Sequence, residues 1–572
     1  MLVAGLLAVG VAWILVTGLQ ARADLHAMRH DIGVLRSDLV AGRQRDARQE
    51  LVRIQATARS AHDRTSGPAW WIGAQLPLLG SPLRTVRTIS SVARTLSDGA
   101  LPAVVTGGAA LDPQELRVGA AQLDLARLQQ AGPALERAAA NLAAAVLRIA
   151  GTRGSWLGPV ASGRSSALRE LTSLEGTLRD TVLATRLLPP MLGGSGPRYY
   201  LVVFEGDNEA RAIGGIFGGY GLLRADSGQM QFLRFGSDRD FTGLTAKIDL
   251  GSQFDKAYGG TDPYQGVADA DLSPHFPDAA RIWSSEAAAR FGVQIDGVVA
   301  MDPVALARIL RVIGPVGMPD GTMLTGENLV QTLDVSVYQR FDSGSVDVDT
   351  PERKAFFVTA AQAVTQAALD RTINTAMLLD ALATSAGERR LLVYSAHPSE
   401  EQQLSTTPLA GVLARTKRPF AEVVVTNDSG TKLDYYLQRS LTYQRASCTA
   451  SSATVTFRLR NAAPSSGLPA YLTTGKQWGD AAHPAGSEYL IVSLYSTQGS
   501  AVTGVTLDGQ PLGTYSATDR GHPITETLVT IKPGQTLTEI FHVDEPAASG
   551  PVELPVQPLA HPLVVTADGP SC

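Results

Sequence analysis

Tyr199–Phe204 reads YYLVVF, and Asn208–Tyr220 follows as NEARAIGGIFGGY. The first run is continuous, β-branched and aromatic, which suits a strand buried on both faces. Gly218–Arg224 and Gln229–Phe235 read as two more strands, joined across the turn signal Asp226-Ser227-Gly228. Farther on, Asp278–Phe291 predicts a helix and Asp296–Met301 a short buried strand. Asp302 then stands at the N-cap of a helix whose first position is Pro303. Thr325–Val337 and Pro351–Arg371 read as helices, and Arg390–Ser395 as a strand. Strands alternating with helices predict an α/β layered domain over residues 196–418.

Upstream, residues 21–195 read as helix after helix, a stalk or bundle. Leu25, Met28, Ile32, Leu35 and Leu39 recur at three- and four-residue spacing, which makes one apolar stripe. Further helices are expected at Ala47–Ala61, at Leu83–Leu96 after the Trp70-Trp71 turn region, and at Gln114–Leu128 behind Pro113. Pro133 is expected to open another, running to Ala150, and Pro189-Pro190 to stop the last, Ser165–Leu188. Downstream, residues 419–572 read as short alternating strands and predict a β-sandwich. The strand candidates there are Glu422–Thr426, Thr431–Leu437, Ala453–Leu459, Tyr489–Tyr495, Val502–Leu507 and Leu537–Val543.

Met1–Leu19 carries no charge and Leu2–Val16 is almost wholly apolar. About 20 such residues span a hydrocarbon core of ~30 Å, so residues 1–20 are expected to be a transmembrane signal anchor. A cleaved signal peptide ending near Ala21-Arg22-Ala23 is the alternative. The unbroken helical pattern from Asp24 favours the anchor, with the bulk of the chain outside the cytoplasm.

The average composition excludes several classes. Of 572 residues, 44% are hydrophobic and 18% charged, with a net charge of −5. No basic block marks a nucleic-acid footprint, so no nucleic-acid partner is expected. Cys448 and Cys572 are too few for a disulfide-dense scaffold or a cysteine zinc site. A bond between them would clip the C-terminus back across 124 residues, a closure worth roughly 4–5 kcal/mol in the chain-entropy account. His26 and His30 have ligand-like spacing, but a polar helix face near a membrane accounts for them. No His-Glu-x-x-His pattern, Walker loop or Gly-x-Ser-x-Gly elbow occurs.

Three clusters carry candidate chemistry. In the first, Asn208, Glu209 and Arg211 precede Gly214-Gly215 and Gly218-Gly219, glycine pairs that permit close approach by a ligand or a neighbouring strand. Arg211 offers a fork of donors to phosphate, against the plainer reading of an Arg–Glu pair holding a strand connection. The second is Ser237-Asp238-Arg239-Asp240-Phe241 at a strand's carboxyl end, where Arg239 suits phosphate oxygens and Asp240 suits a metal or a proton. The third is Tyr338-Gln339-Arg340-Phe341, followed by Arg353-Lys354.

These residues also carry a resemblance. Asn208–Tyr220, Asp271-Leu272-Ser273-Pro274 with Phe276-Pro277, and Asp296–Pro303 (DGVVAMDP) resemble a bacterial, actinobacterial, envelope family known only as a domain of unknown function. Gly67–Leu83 and Lys432–Leu437 are similar to it too. A more distant resemblance, over about Tyr199–Arg371, is to the LytR-CpsA-Psr phosphotransferases. Those enzymes move glycopolymers from polyprenyl-pyrophosphate carriers to the cell wall. Asp238-Arg239-Asp240 stands where that family has Pro-Arg-Asp, and Leu324-Thr325-Gly326-Glu327 resembles its Leu-Asn-Gly-Glu helix start. Tyr338-Gln339-Arg340 is similar to its Tyr-x-Arg-x-Arg segment, with Asp342 in place of the second arginine and Arg353 as the downstream one.

The resemblance implies an α/β/α sandwich in which Arg239 and Asp240 are catalytic. It implies that Arg211, Arg340, Arg353, Asn208 and Glu209 contact the pyrophosphate, and that Asp240 holds Mg²⁺. The partners implied are the membrane and a polyprenyl-linked glycan or cell-wall polymer. Two functions stay open: binding or transfer of such a glycopolymer, and a non-catalytic scaffold for polysaccharide export or envelope assembly.

Overall fold

A computed structural model of the protein describes residues 2–40, 43–77, 80–111, 113–119, 121–152, 154–371, 374–447, 450–474, 485–547 and 550–569. It is a multidomain mixed α/β molecule in two compact units. One comprises Met1–Pro197 with Asp226–Gln229, the other Arg198–Ala225 with Met230–Cys572. The expected Cys448–Cys572 pair lies outside the described residues.

The first unit is helical. Its main helices are α1 (Leu2–Val40), α2 (Gln44–Ser66), α3 (Pro68–Gln75), α4 (Gly80–Thr95), α5 (Leu101–Ala110), α6 (Leu125–Ala150) and α7 (Gly158–Met191). α1 runs without a break through residues 2–20 to Val40. Among the described residues no helix is long and apolar enough to cross a membrane. The helix expected over Gln114–Leu128 is broken. A single turn at Pro113–Leu116 gives way to short extended pieces, and Asp124 restarts the helix by accepting from the Ala126 and Arg127 amides at 3.0 and 3.2 Å. Pro133 therefore lies inside α6 instead of opening a helix, and α7 continues past Pro189-Pro190 to Met191. Val92, Leu96, Leu135, Leu142, Ile149 and Val182 form the core between these helices.

The second unit is built on β1 (Arg198–Arg211), β2 (Gly214–Asp226), β3 (Gln229–Ser237), β4 (Gly297–Met301) and β5 (Leu391–Ser395), ordered β3-β2-β1-β4-β5. β1 and β4 run parallel, with Leu201 opposite Val298 and Phe204 opposite Met301. Leu201 and Val203 enter one core with Phe217, Phe276 and Trp283, while Val202 and Phe204 enter another with Leu306, Leu310 and Phe356. Helix α8 (Phe276–Phe291) covers the first face; α9 (Pro303–Ile313) and α10 (Val346–Asp370) cover the second. Burial on both faces explains why YYLVVF is unbroken by polar residues.

The all-β remainder contains β6 (Ala421–Asn427), β7 (Leu437–Arg445), β8 (Ser452–Asn461), β9 (Glu488–Ser496) and β10 (Ala501–Leu507). It continues with β11 (Gln510–Pro511), β12 (Tyr515–Asp519), β13 (His522–Ile531), β14 (Thr536–Asp544) and β15 (Val564–Asp568). A sheet ordered β6-β9-β13-β12 and one ordered β11-β10-β14-β8-β7-β15 share a core around Val423, Leu441, Phe457, Leu490 and Phe541. Thr431–Leu437, expected as a strand, holds a tight turn at Asp434–Tyr436, where Asp434 accepts from the Ala210 amide and from Asn427. Phe420, Val424, Tyr495 and Ile524 join the core of the α/β sheet, so the two portions fold as one body.

Candidate functional site

The candidate residues lie at the carboxyl end of β1, in the turn after β3 and on the helices around Arg340 and Arg353. Bulges in the β1–β2 pairing near Glu205 and between Gly206 and Ala210 turn successive side chains of β1 in different directions. The glycine pairs serve this hairpin. A Cβ on Gly215 would lie 2.3 Å from the Gly206 carbonyl oxygen, and one on Gly218 would lie 3.0 Å from the Phe357 ring. Close approach is needed by a neighbouring strand and a covering helix.

Arg211 is buried and occupied. Its guanidinium donates to the carbonyls of Ala268, Ala210 and Asn427 at 3.2, 3.0 and 3.1 Å and pairs with Glu209 at 3.3 Å and Asp269 at 3.1 Å. Lys432 pairs with the other oxygen of Glu209. Gln557 donates to the Arg211 carbonyl at 2.6 Å. Arg211 and Glu209 thus join the α/β sheet to the all-β portion.

Asn208 points elsewhere. Its amide donates to the Tyr338 hydroxyl at 3.0 Å and the Asp334 carbonyl at 3.3 Å. The Arg353 guanidinium lies 4.0 Å from the centre of the Tyr471 ring and 5.5 Å from that of Tyr338, and donates to the Phe341 carbonyl at 2.7 Å. Arg340 pairs with Asp320 at 2.7 Å and lies over the rings of Phe341 and Phe356. The start of α10 gathers these groups. Arg353 meets Tyr338 and Phe356 meets Arg340, while Lys354 pairs with Asp238 at 2.7 Å.

The Asp238–Phe241 turn follows β3 directly. Asp240 accepts from the Tyr220 hydroxyl at 2.7 Å, and Arg290 of α8 lies 3.8 Å from its other oxygen. Arg239 is exposed; its carbonyl accepts from the Thr242 amide at 3.2 Å, and among the described residues its guanidinium has no hydrogen-bond or ion-pair partner. Asn208, Arg340, Arg353 and the Asp238–Asp240 turn are linked through α10. Arg211 and Glu209 belong to a separate network.

Sequence reading passed over a group of buried carboxyls beside the site. Asp207 and Asp334 are buried with no hydrogen-bond partner on either carboxylate oxygen among the described residues. Burial, then the carboxylate of Asp302, pushes both well above the usual carboxylate range. Burial likewise raises Glu205 and Asp271. Arg390, directly before β5, pairs with Asp302 and lies 3.9 Å from Asp207. Asp302 was legible only as a helix cap, a role it keeps by accepting from the Ala305 amide at 2.7 Å. Its partner lies 88 residues away, beyond any local pattern.

Asp240 is engaged by Tyr220 and Arg290, and among the described residues no group of three or more Asp, Glu, His or Cys is placed to hold a metal.

The molecule is thus a multidomain mixed α/β protein with charged groups at the carboxyl edge of its central sheet. Residues 195–338 match a family described as "Protein of unknown function (DUF4012)". That stretch holds Asn208, Glu209, Arg211, Arg239 and Asp240, and ends at Tyr338. No curated protein matches the chain.

Proposed function

We propose that this is a membrane-anchored, extracytoplasmic cell-envelope protein. Its LytR-CpsA-Psr-like α/β portion binds a polyprenyl-pyrophosphate-linked glycan at the Asp238–Asp240 turn. The observation that carries this reading is the free guanidinium of Arg239, with Lys354 and Arg290 in the same constellation. Lys354 and Arg290 meet the two carboxylates, Asp238 and Asp240, so the unpaired Arg239 leaves the turn net positive and suited to a pyrophosphate. The reading is of binding rather than transfer, because Asp240, the expected base, is already engaged by Tyr220 and Arg290. Arg211 and Arg353 support the second reading, a scaffold without a ligand, since internal groups occupy both guanidiniums.

Calorimetric titration of the full chain with farnesyl pyrophosphate separates the two. Arg239→Ala is expected to weaken binding at least about tenfold, roughly 1.4 kcal/mol. Farnesyl monophosphate is expected to bind less tightly than the pyrophosphate. Equal affinity of variant and wild type, or no binding by either, would sink the site assignment and leave the scaffold.

A further inference from the structure

The helical unit carries exposed tryptophan at one end only. Trp13, Trp71 and Trp156 are 59%, 56% and 62% exposed, and they belong to three separate stretches of chain. Contacts between the helices put those stretches at one end. The Trp70 indole nitrogen donates to the Thr17 hydroxyl at 2.9 Å, and a Cβ on Gly73 would lie 3.4 Å from Ile14, so α3 lies beside the Ile14–Thr17 stretch of α1. Asp24 of α1 pairs with Arg64 near the end of α2, and Arg94 of α4 pairs with Asp63. Arg148, near the end of α6, donates to Ser91 of α4, and Arg29 of α1 pairs with Glu170 of α7. The N-terminal turns of α1, the α2–α4 connection with α3, and the α6–α7 connection with Trp156 and Leu157 therefore share one end. The chain leaves the bundle from the far end of α7.

This end is apolar beyond its tryptophans. Val11, Leu15, Val16 and Leu19 of α1, Ile72 and Leu76 about α3, and Leu157 are all exposed. Soluble surfaces rarely gather such groups without an apolar partner. The charge pattern names the partner. Residues 1–21, 67–83 and 154–163 contain no charged residue. Arginines bound these runs: Arg22 ends the first, Arg84 directly follows the second, and Arg153 and Arg164 flank the third. Uncharged apolar tips, amphipathic indoles and a collar of arginine match the successive layers of a bilayer interface.

We propose that the α3 helix and the Trp156-Leu157 loop seat this end of the bundle in the bilayer interface. They form a contact additional to the N-terminal helix. The inference deepens the membrane part of the function proposed above and rests on it for the presence of a bilayer. Three points of insertion on separate stretches of chain hold a bundle upright, which one helix alone does not.

Fluorescence in vesicles of phosphatidylcholine and phosphatidylglycerol tests this, with bromine on the phosphatidylcholine acyl chains as the quencher. The full chain is compared with Trp13→Phe, Trp71→Phe and Trp156→Phe, so that each difference isolates one indole. All three side chains are exposed, and circular dichroism verifies that each variant keeps its helix content. The expected result is that brominated lipid quenches Trp71 and Trp156 together with Trp13. Quenching of Trp13 alone overturns the inference while leaving the N-terminal anchor in place, and is the outcome if a protein partner covers this end. Quenching of Trp71 and Trp156 without Trp13 supports the seating and removes the anchor. Full emission from all three overturns both.

Discussion

The Tyr220 hydroxyl donates a 2.7 Å hydrogen bond to the Asp240 carboxylate and so ties β2 to the turn after β3. Burial, and then the bond itself, raises the pKa of the hydroxyl, which keeps it a donor at neutral pH. Tyr220→Phe retains the ring packing against Phe241 and Phe291, at 5.2 and 5.4 Å between centroids, and removes only this bond. A loss of about 1–3 kcal/mol is expected, as for a hydrogen bond to a charged acceptor. Urea unfolding measures it, and unchanged stability would show that the bond does not fasten the turn.

Arg390 is the cation among the buried carboxyls, paired with Asp302 and donating to the Leu559 carbonyl at 2.8 Å. Arg390→Met leaves Asp302 buried without its countercharge, which is expected to cost about 3–5 kcal/mol. Adding Asp302→Asn removes the stranded charge and keeps an N-cap side chain, so the double variant is expected to recover part of the loss. Thermal and denaturant unfolding of the three proteins reads this out. A double variant less stable than Arg390→Met would contradict the charge argument.

Burial lifts Glu286 of α8 from 4.5 to about 7, although the Gly266 amide donates to it at 2.9 Å. The folded state therefore holds this proton more tightly than the unfolded chain does. The stabilisation it gives is complete below a pH of about 4.5 and is lost as pH rises toward about 7. Glu286→Gln is expected to flatten that part of the stability profile, by at most about 3 kcal/mol across the window. Denaturant unfolding of both proteins at several pH values checks it; parallel profiles would remove Glu286 as a source.

Gly215 has no room for a side chain, since the Cβ position lies 2.3 Å from a backbone oxygen of β1. Gly215→Ala must push the two strands apart and is expected to cost at least about 2 kcal/mol. Gly10, with nothing within 4 Å of its Cβ position, is the control. Gly10→Ala, inside α1, is expected to leave stability unchanged or raise it by up to about 1 kcal/mol, since alanine is the better helix former. Equal melting of the two variants would disprove the packing role.

Local pattern carried much of the architecture. The β1 strand, the turn after β2, the cap at Asp302 and most sandwich strands were legible because each depends on neighbours in sequence. Residues Ser227 and Gly228 adopt the left-handed φ values, 50° and 83°, that their turn chemistry announces. Elements whose ends are decided elsewhere were misread. Pro133 resembled a helix start, but the cap at Asp124 had already begun α6. Thr431–Leu437 resembled a strand, but Asp434 is held by Asn427 and by the amide of Ala210.

That helices come first, an α/β layer next and strands last was readable from hydrophobic periodicity, which is a local property of the chain. The sequence also singled out the arginines and acids at the strand ends. Which of them are free depends on the folded chain. Arg211, Arg239, Arg340 and Arg353 look alike as letters. Folding buries Arg211 among carbonyls and carboxylates, stacks Arg353 on tyrosine rings, pairs Arg340 with Asp320 and leaves Arg239 in solvent. A guanidinium's availability depends on partners 57 to 216 residues away, as for Arg211 with Ala268 and Asn427. Those partners meet only when the sheet and the sandwich pack.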